Sequence, residues 1–159
     1  MAELKARIES DMRASAKAQD VVRRDTLRFA LAALHNEEVA QRRELTDEEI
    51  VGVLTKQAKM RRESIEAFEK GGRAELVAKE TAELKVIEGY LPQQLDRDEI
   101  VTLARAAIAE TGAASPQDQG KVMQKLMPRV KGRAEGKVVA TVVTELLRGI
   151  AGAEPPRTP

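Results

Sequence analysis

The chain has no cysteine, no tryptophan, one tyrosine, two phenylalanines and a single histidine in 159 residues. Without cysteine there can be no disulfide, thiol nucleophile or cysteine-based metal site. One imidazole cannot build a multi-histidine metal centre. With aromatics at 2%, any core must be aliphatic, and the rings on which single-stranded bases stack are scarce. No apolar run approaches the roughly 18 residues of a membrane span. The start, Met1-Ala2-Glu3, opens directly into a charged stretch rather than an apolar leader. These absences predict a cytoplasmic chain with no membrane partner.

What is present favours helices. Ala, Leu, Glu, Lys and Arg dominate, and they lose little rotamer freedom in a helix. Hydrophobic residues make up 42% of the chain, enough for a packed core. The expected fold class is all-α. The spacing of Leu4, Ile8 and Met12 predicts a helix over 3–18, and that of Leu27, Leu31 and Leu34 a second over 21–43, with Asp20 as its N-cap. Thr46-Asp47-Glu48-Glu49 has the pattern of a capping box. It opens a third helix whose buried side is marked by Ile50, Leu54, Ala58, Ile65 and Phe68, and Gly71-Gly72 ends it. A fourth helix follows over 73–90. Leu91-Pro92 interrupts the periodicity, because proline disfavours helix at the preceding residue.

The domain boundary is therefore expected at residues 90–95. Residues 1–90 would form a bundle of about four helices and residues 91–150 a three-helix domain. In the latter, Asp96-Arg97-Asp98-Glu99 is a second capping box and Gly112 a stop. Ser115-Pro116 begins a sixth helix that Pro128 ends. A last helix carries Val138, Val139, Val142, Val143, Leu146, Leu147 and Ile150 as a double stripe. Residues 151–159, rich in proline and small residues, are expected to be disordered.

No catalytic constellation emerges. His35 neighbours Asn36, Glu37 and Glu38 without a nucleophile, and reads as a surface or packed residue. Ser10, Ser15, Ser64 and Ser115 lie in no nucleophile elbow. No glycine-rich phosphate loop is present. The acidic groups Glu48-Glu49 and Asp96/Asp98/Glu99 stand at helix starts, where they complement the macrodipole. No cofactor or metal is expected, and no catalytic residue is assigned.

Charge is where the sequence departs from uniformity. Residues 1–90 hold 17 basic and 18 acidic groups, and residues 91–159 hold 10 and 8. Within 120–137 there are six basic groups and one acid, Glu135, a net charge of +5. Lys121, Lys125, Arg129, Lys131, Arg133 and Lys137 thus crowd the junction of the last two helices. Gly132 and Gly136 would permit close backbone approach, and the free amides of a helix start suit phosphate oxygens. From the residues alone, a solvated loop and a phosphate-binding patch both remain open.

At Arg43-Glu44-Leu45-Thr46-Asp47-Glu48-Glu49, Arg62–Phe68, Tyr90-Leu91-Pro92-Gln93-Gln94-Leu95 and Gly120–Lys137, the chain resembles the YqeY-like family over most of residues 3–148. The Gly120–Lys137 block is also similar to the C-terminal tail of the glutamine-dependent aspartyl/glutamyl-tRNA amidotransferase B subunit, though Gln119 stands where relatives often carry methionine. The resemblance implies tRNA as a partner, held by the six cations. Amidotransferase subunits, or another protein, are further partners it allows. It also implies the family label of carbon–nitrogen ligase with glutamine as amido donor. The catalytic body of that enzyme has no counterpart here, so whether this chain is itself an enzyme stays open. The alternative is a protein-interaction module with no nucleic-acid role.

Overall fold

The structure is a computed structural model and describes residues 2–152. The described residues form seven α-helices and one short 3-10 turn, with no strand among them. The helices are α1 (Glu3–Lys17), α2 (Val21–Gln41), α3 (Asp47–Lys70), α4 (Ala74–Glu88), α5 (Arg97–Thr111), α6 (Gln119–Val130) and α7 (Gly136–Gly152), with the 3-10 turn at Pro116–Asp118 before α6. The all-α expectation holds. No helix is long and apolar enough to cross a membrane among the described residues. The chain divides into two compact units, the first reaching Pro92 and the second beginning at Gln93.

Local chemistry sets the ends. Asp20 accepts from the Arg23 amide at 3.2 Å and starts α2. That helix stops at Gln41, because Arg42 turns into the left-handed region at φ 56. At α3, Thr46 Oγ1 accepts from the Glu49 amide, and the Glu49 carboxylate accepts from the Thr46 amide. Arg43, together with that amide, holds the Glu49 carboxyl down to about 2. Asp96 and Glu99 repeat the reciprocal cap at α5. Gly72, at φ 68, supplies the reversal into α4 that a side chain would resist.

In the first unit, Ile8 of α1, Leu27, Ala30 and Leu34 of α2, Ile50, Leu54 and Ala58 of α3, and Ile87 of α4 close one aliphatic core. Ile65 and Phe68 are only half-buried, and Thr81 of α4 is exposed. On the flank of the α3–α4 pair, Arg61 reaches Glu80 at 3.2 Å and also Glu83, and Arg62 reaches Glu88 at 2.9 Å. The one tyrosine ends this unit. Tyr90 is 6% exposed. Its hydroxyl donates to Asp11 Oδ2 at 2.5 Å and accepts from Arg23 Nη2 at 2.9 Å. The Arg7 guanidinium lies 4.9 Å from its ring centre.

The second unit has its own core of Ile100, Ala104, Ala107 and Ile108 from α5, Val122, Leu126 and Val130 from α6, and Val139, Val142, Val143 and Leu147 from α7. Three expectations need correction here. Pro128 does not end α6, which runs on to Val130. Val130 is fully buried and the Lys131 amide donates to the Met127 carbonyl at 2.9 Å, so packing holds the last turn despite the amide that proline lacks. The stripe on α7 is narrower than the valine pairs suggest, since Val138 and Ile150 are 40% and 42% exposed. Finally, Ala151 and Gly152 belong to the last turn of α7, and the rest of the expected tail lies outside the described residues.

Gly52 offers a stability test. It sits inside α3 on an exposed position, and a methyl added there meets no atom within 4 Å. Glycine costs a helix interior about 1 kcal/mol relative to alanine. Gly52→Ala should raise stability by roughly that amount, read as an upward shift of the urea midpoint with an unchanged slope.

Candidate nucleic-acid interface

α6 places its charges by simple periodicity. Val122, Leu126 and Val130 are buried, so Lys121, Lys125 and Arg129, each one residue earlier and four apart, form an exposed stripe. That stripe is not free of carboxylates. Glu110, near the end of α5, accepts from Arg129 Nη2 with both oxygens, at 3.0 and 2.7 Å. Lys125 Nζ stands 3.9 Å from the same carboxylate. The hydrogen bond from Arg129, and secondarily the charges of Arg129 and Lys125, hold the Glu110 carboxyl below its usual range. Lys121, at the other end of α6, sits near Asp118. That carboxylate accepts from the amides of Ala114 and Ser115 at 2.9 and 3.3 Å and is lowered chiefly by them.

The turn after α6 is built around its glycine. Gly132 adopts φ 74 and is buried, and its carbonyl accepts from Gln94 Nε2 at 2.9 Å. It is therefore a structural turn residue rather than an open cradle for a ligand. Arg133 is half-buried. Its Nε donates to the Gln93 carbonyl at 3.3 Å, and its own carbonyl accepts from the Leu95 amide at 2.8 Å. Two of the sequence blocks behind the family resemblance thus meet physically, Gln93-Gln94-Leu95 against Gly132-Arg133. That contact gives both blocks a folding role.

The six cations divide accordingly. Lys125 and Arg129 are engaged by Glu110, and Arg133 is tied to backbone. Lys121, Lys131 and Lys137 are exposed, and no carboxylate among the described residues lies within ion-pairing distance of them. Lys121 and Lys131 lie ten residues apart, about 15 Å along a helix axis, so the charges line a strip rather than converge on one point. Lys137 occupies the first turn of α7, which carries no acidic residue. Glu110 is the participant that sequence reasoning missed. Its place beside positions 125 and 129 depends on the register of α5 against α6, which periodicity alone does not give.

Elsewhere, His35 is exposed on α2. No group of three or more histidine or acidic side chains is placed to hold a metal ion among the described residues.

These features define an all-helical class of two units, the second bearing a basic helix and turn. The family model described as Yqey-like protein matches residues 5–147, and the chain belongs to that family. A protein of Pyrenophora tritici-repentis named "Altered inheritance of mitochondria protein 41, mitochondrial" is 28% identical over 153 residues, covering 93% of this chain and 81% of that one. The protein of the same name from Kluyveromyces lactis is 29% identical over 131 residues, covering 77% and 71%. That from Lachancea thermotolerans is 33% identical over 89 residues, covering 55% of this chain and about half, 48%, of the relative. The names of these relatives describe mitochondrial proteins, and that finding overturns the cytoplasmic expectation. The expectation rested on the lack of an apolar span, which does not distinguish one aqueous compartment from another.

Proposed function

We propose that the chain is a non-catalytic tRNA-binding protein, or an accessory that holds tRNA for a separate amidotransferase subunit. In this reading Lys121, Lys131 and Lys137 make the primary phosphate contacts. Lys125 and Arg129 join them when a phosphate competes with Glu110, and Arg133 shapes the turn. The observation that carries the reading is the concentration of charge, a net +5 within residues 120–137 on a helix and turn whose other side is core. Phosphate contacts of this kind give affinity without sequence readout.

The test is tRNA filter binding over a range of salt concentrations. Lys131→Ala with Lys137→Ala should weaken binding about tenfold at low salt and lower the slope of log affinity against log salt by about two. Both side chains are exposed, so folding should be unaffected. Glu110→Gln should do the reverse, strengthening binding by releasing Arg129 and Lys125. Unchanged affinity in the double variant at low salt would refute the assignment. One observation favours the second reading, a protein-interaction module: Phe29 and Met60 are 70% and 60% exposed in the first unit.

A further inference from the structure

α2 turns to solvent a face whose composition is not that of a solvated surface. Val22, Asp25, Phe29, Ala32, Asn36 and Val39 are all exposed, and they follow one another at alternating steps of three and four residues. That is the seam spacing of paired helices, a 3.5-residue repeat. The opposite side of α2, with Leu27, Ala30 and Leu34, is already in the core of the first unit. Four of the six seam residues are apolar, and Val22, Phe29 and Val39 are large hydrophobic side chains left exposed. The outer face of a helix is ordinarily polar, so this seam is built for a partner.

The order of the six residues identifies that partner. Set against an antiparallel copy of itself, with a two-fold axis between Ala30 and Leu31, the seam pairs Val22 with Val39, Asp25 with Asn36 and Phe29 with Ala32. Each pair occurs twice. Apolar meets apolar at the ends, the bulky ring meets the small methyl at the centre, and a carboxylate meets an amide in between. A two-fold interface has to complement itself in this way. The axis also falls at the middle of α2 (Val21–Gln41), so the two helices overlap along their full length, about 31 Å. Parallel pairing would instead lay Asp25 on Asp25, and sliding the antiparallel copy by a heptad can bring Phe29 onto Asp25. A purely apolar segment of another protein would have to desolvate Asp25 and Asn36 and would offer them nothing.

We infer that two copies of the chain pair through α2, antiparallel, along the seam from Val22 to Val39. Asn36 of each copy donates its side-chain N–H to the Asp25 carboxylate of the other. That carboxylate keeps its own cation, because it already accepts from Arg24 Nε at 2.9 Å, so covering it strands no charge. Phe29 lies over Ala32 of the second copy, and Met60 of α3, which lines the cleft beside Phe29, extends the apolar surface around the ring. The polar layer fixes direction and register at some expense of strength. The seam lies in the first unit and uses none of the six cations, so its test is separate from that of tRNA binding.

The experiment is sedimentation velocity on the full chain at rising concentration. A monomer–dimer equilibrium is expected, with a dissociation constant of roughly 10–100 μM. Phe29→Ser and Asn36→Asp should each weaken it about tenfold or more, the first by removing the central ring and the second by setting carboxylate against carboxylate. Both positions are exposed in the single chain, so folding does not depend on them. Direction is read by cross-linking, which the absence of native cysteine makes specific. Val22→Cys chains mixed with Val39→Cys chains should be joined by a short bis-maleimide about tenfold faster than either variant alone, because like positions stand about 25 Å apart across the axis. A chain still monomeric at about 1 mM, association undiminished by Asn36→Asp, or variants that cross-link as fast alone as mixed would each overturn the inference.

Discussion

Raising the pH from about 9 to above 12 is expected to remove ~3 kcal/mol from the stability of the first unit through one side chain, Tyr90. Burial, and then the hydrogen bond to Asp11, push its phenol up to about 12 from an ordinary value of 10. Arg23 and Arg7 act in the opposite direction and do not prevail. The folded state therefore prefers the neutral phenol. The contribution is complete below pH 10, declines as the pH rises from 10 to 12, and is gone above the folded value, a span of about two pK units at 1.36 kcal/mol each. Because the chain has one tyrosine and no tryptophan, the phenolate absorbance reports this residue alone. A midpoint near 10 in the folded protein would sink the prediction. Tyr90→Phe should flatten the alkaline limb of the stability curve, isolating the contribution of this one group.

The same residue shows where sequence reading stops. Helix starts were legible at Asp20, Thr46 and Asp96, because a cap is a local event between residues three apart. Stops were legible where glycine marked them, as at Gly72 and Gly112. The end of α2 at Arg42 was not, since a non-glycine residue takes the left-handed turn there. Nor was the continuation of α6 past Pro128, where burial of Val130 outweighs a lost amide. Tyr90 could be recognised as part of a sequence block, but its partners are 79 and 67 residues away. Such pairings belong to the packing of α1, α2 and the chain after α4.

The basic strip divides along the same line. Its charges could be counted in the sequence, and their four-residue spacing on α6 could be read. Which of them Glu110 engages, and which Gln93 fixes, could not, because both contacts join residues about 20 to 40 positions apart. For the tRNA binding proposed above, the consequence is a sharper division of labour. Lys131 and Lys137 are the informative substitutions for binding. Arg133, which a charge count would rank equally, is a substitution that also disturbs the turn.

Leu126→Ala should destabilise the second unit by about 2–5 kcal/mol. Leu126 is fully buried at the centre of a core to which α5, α6 and α7 each contribute only a few aliphatic side chains. That unit begins at Gln93, so it is small. At roughly 0.05–0.15 kcal/mol per residue, its whole stability is comparable with the expected loss. The two cores share no buried residue, and the variant should therefore unfold in two steps. Helical circular dichroism would fall first at low urea, while the Tyr90 signal, confined to the first unit, would hold until the second step. The tRNA affinity proposed above should vanish with the first step, because α6, its turn and α7 carry every cation assigned to it. A single transition seen alike by circular dichroism and tyrosine absorbance would mean that the second core does not melt on its own. Retention of tRNA binding after the first step would remove the basic strip from the binding surface.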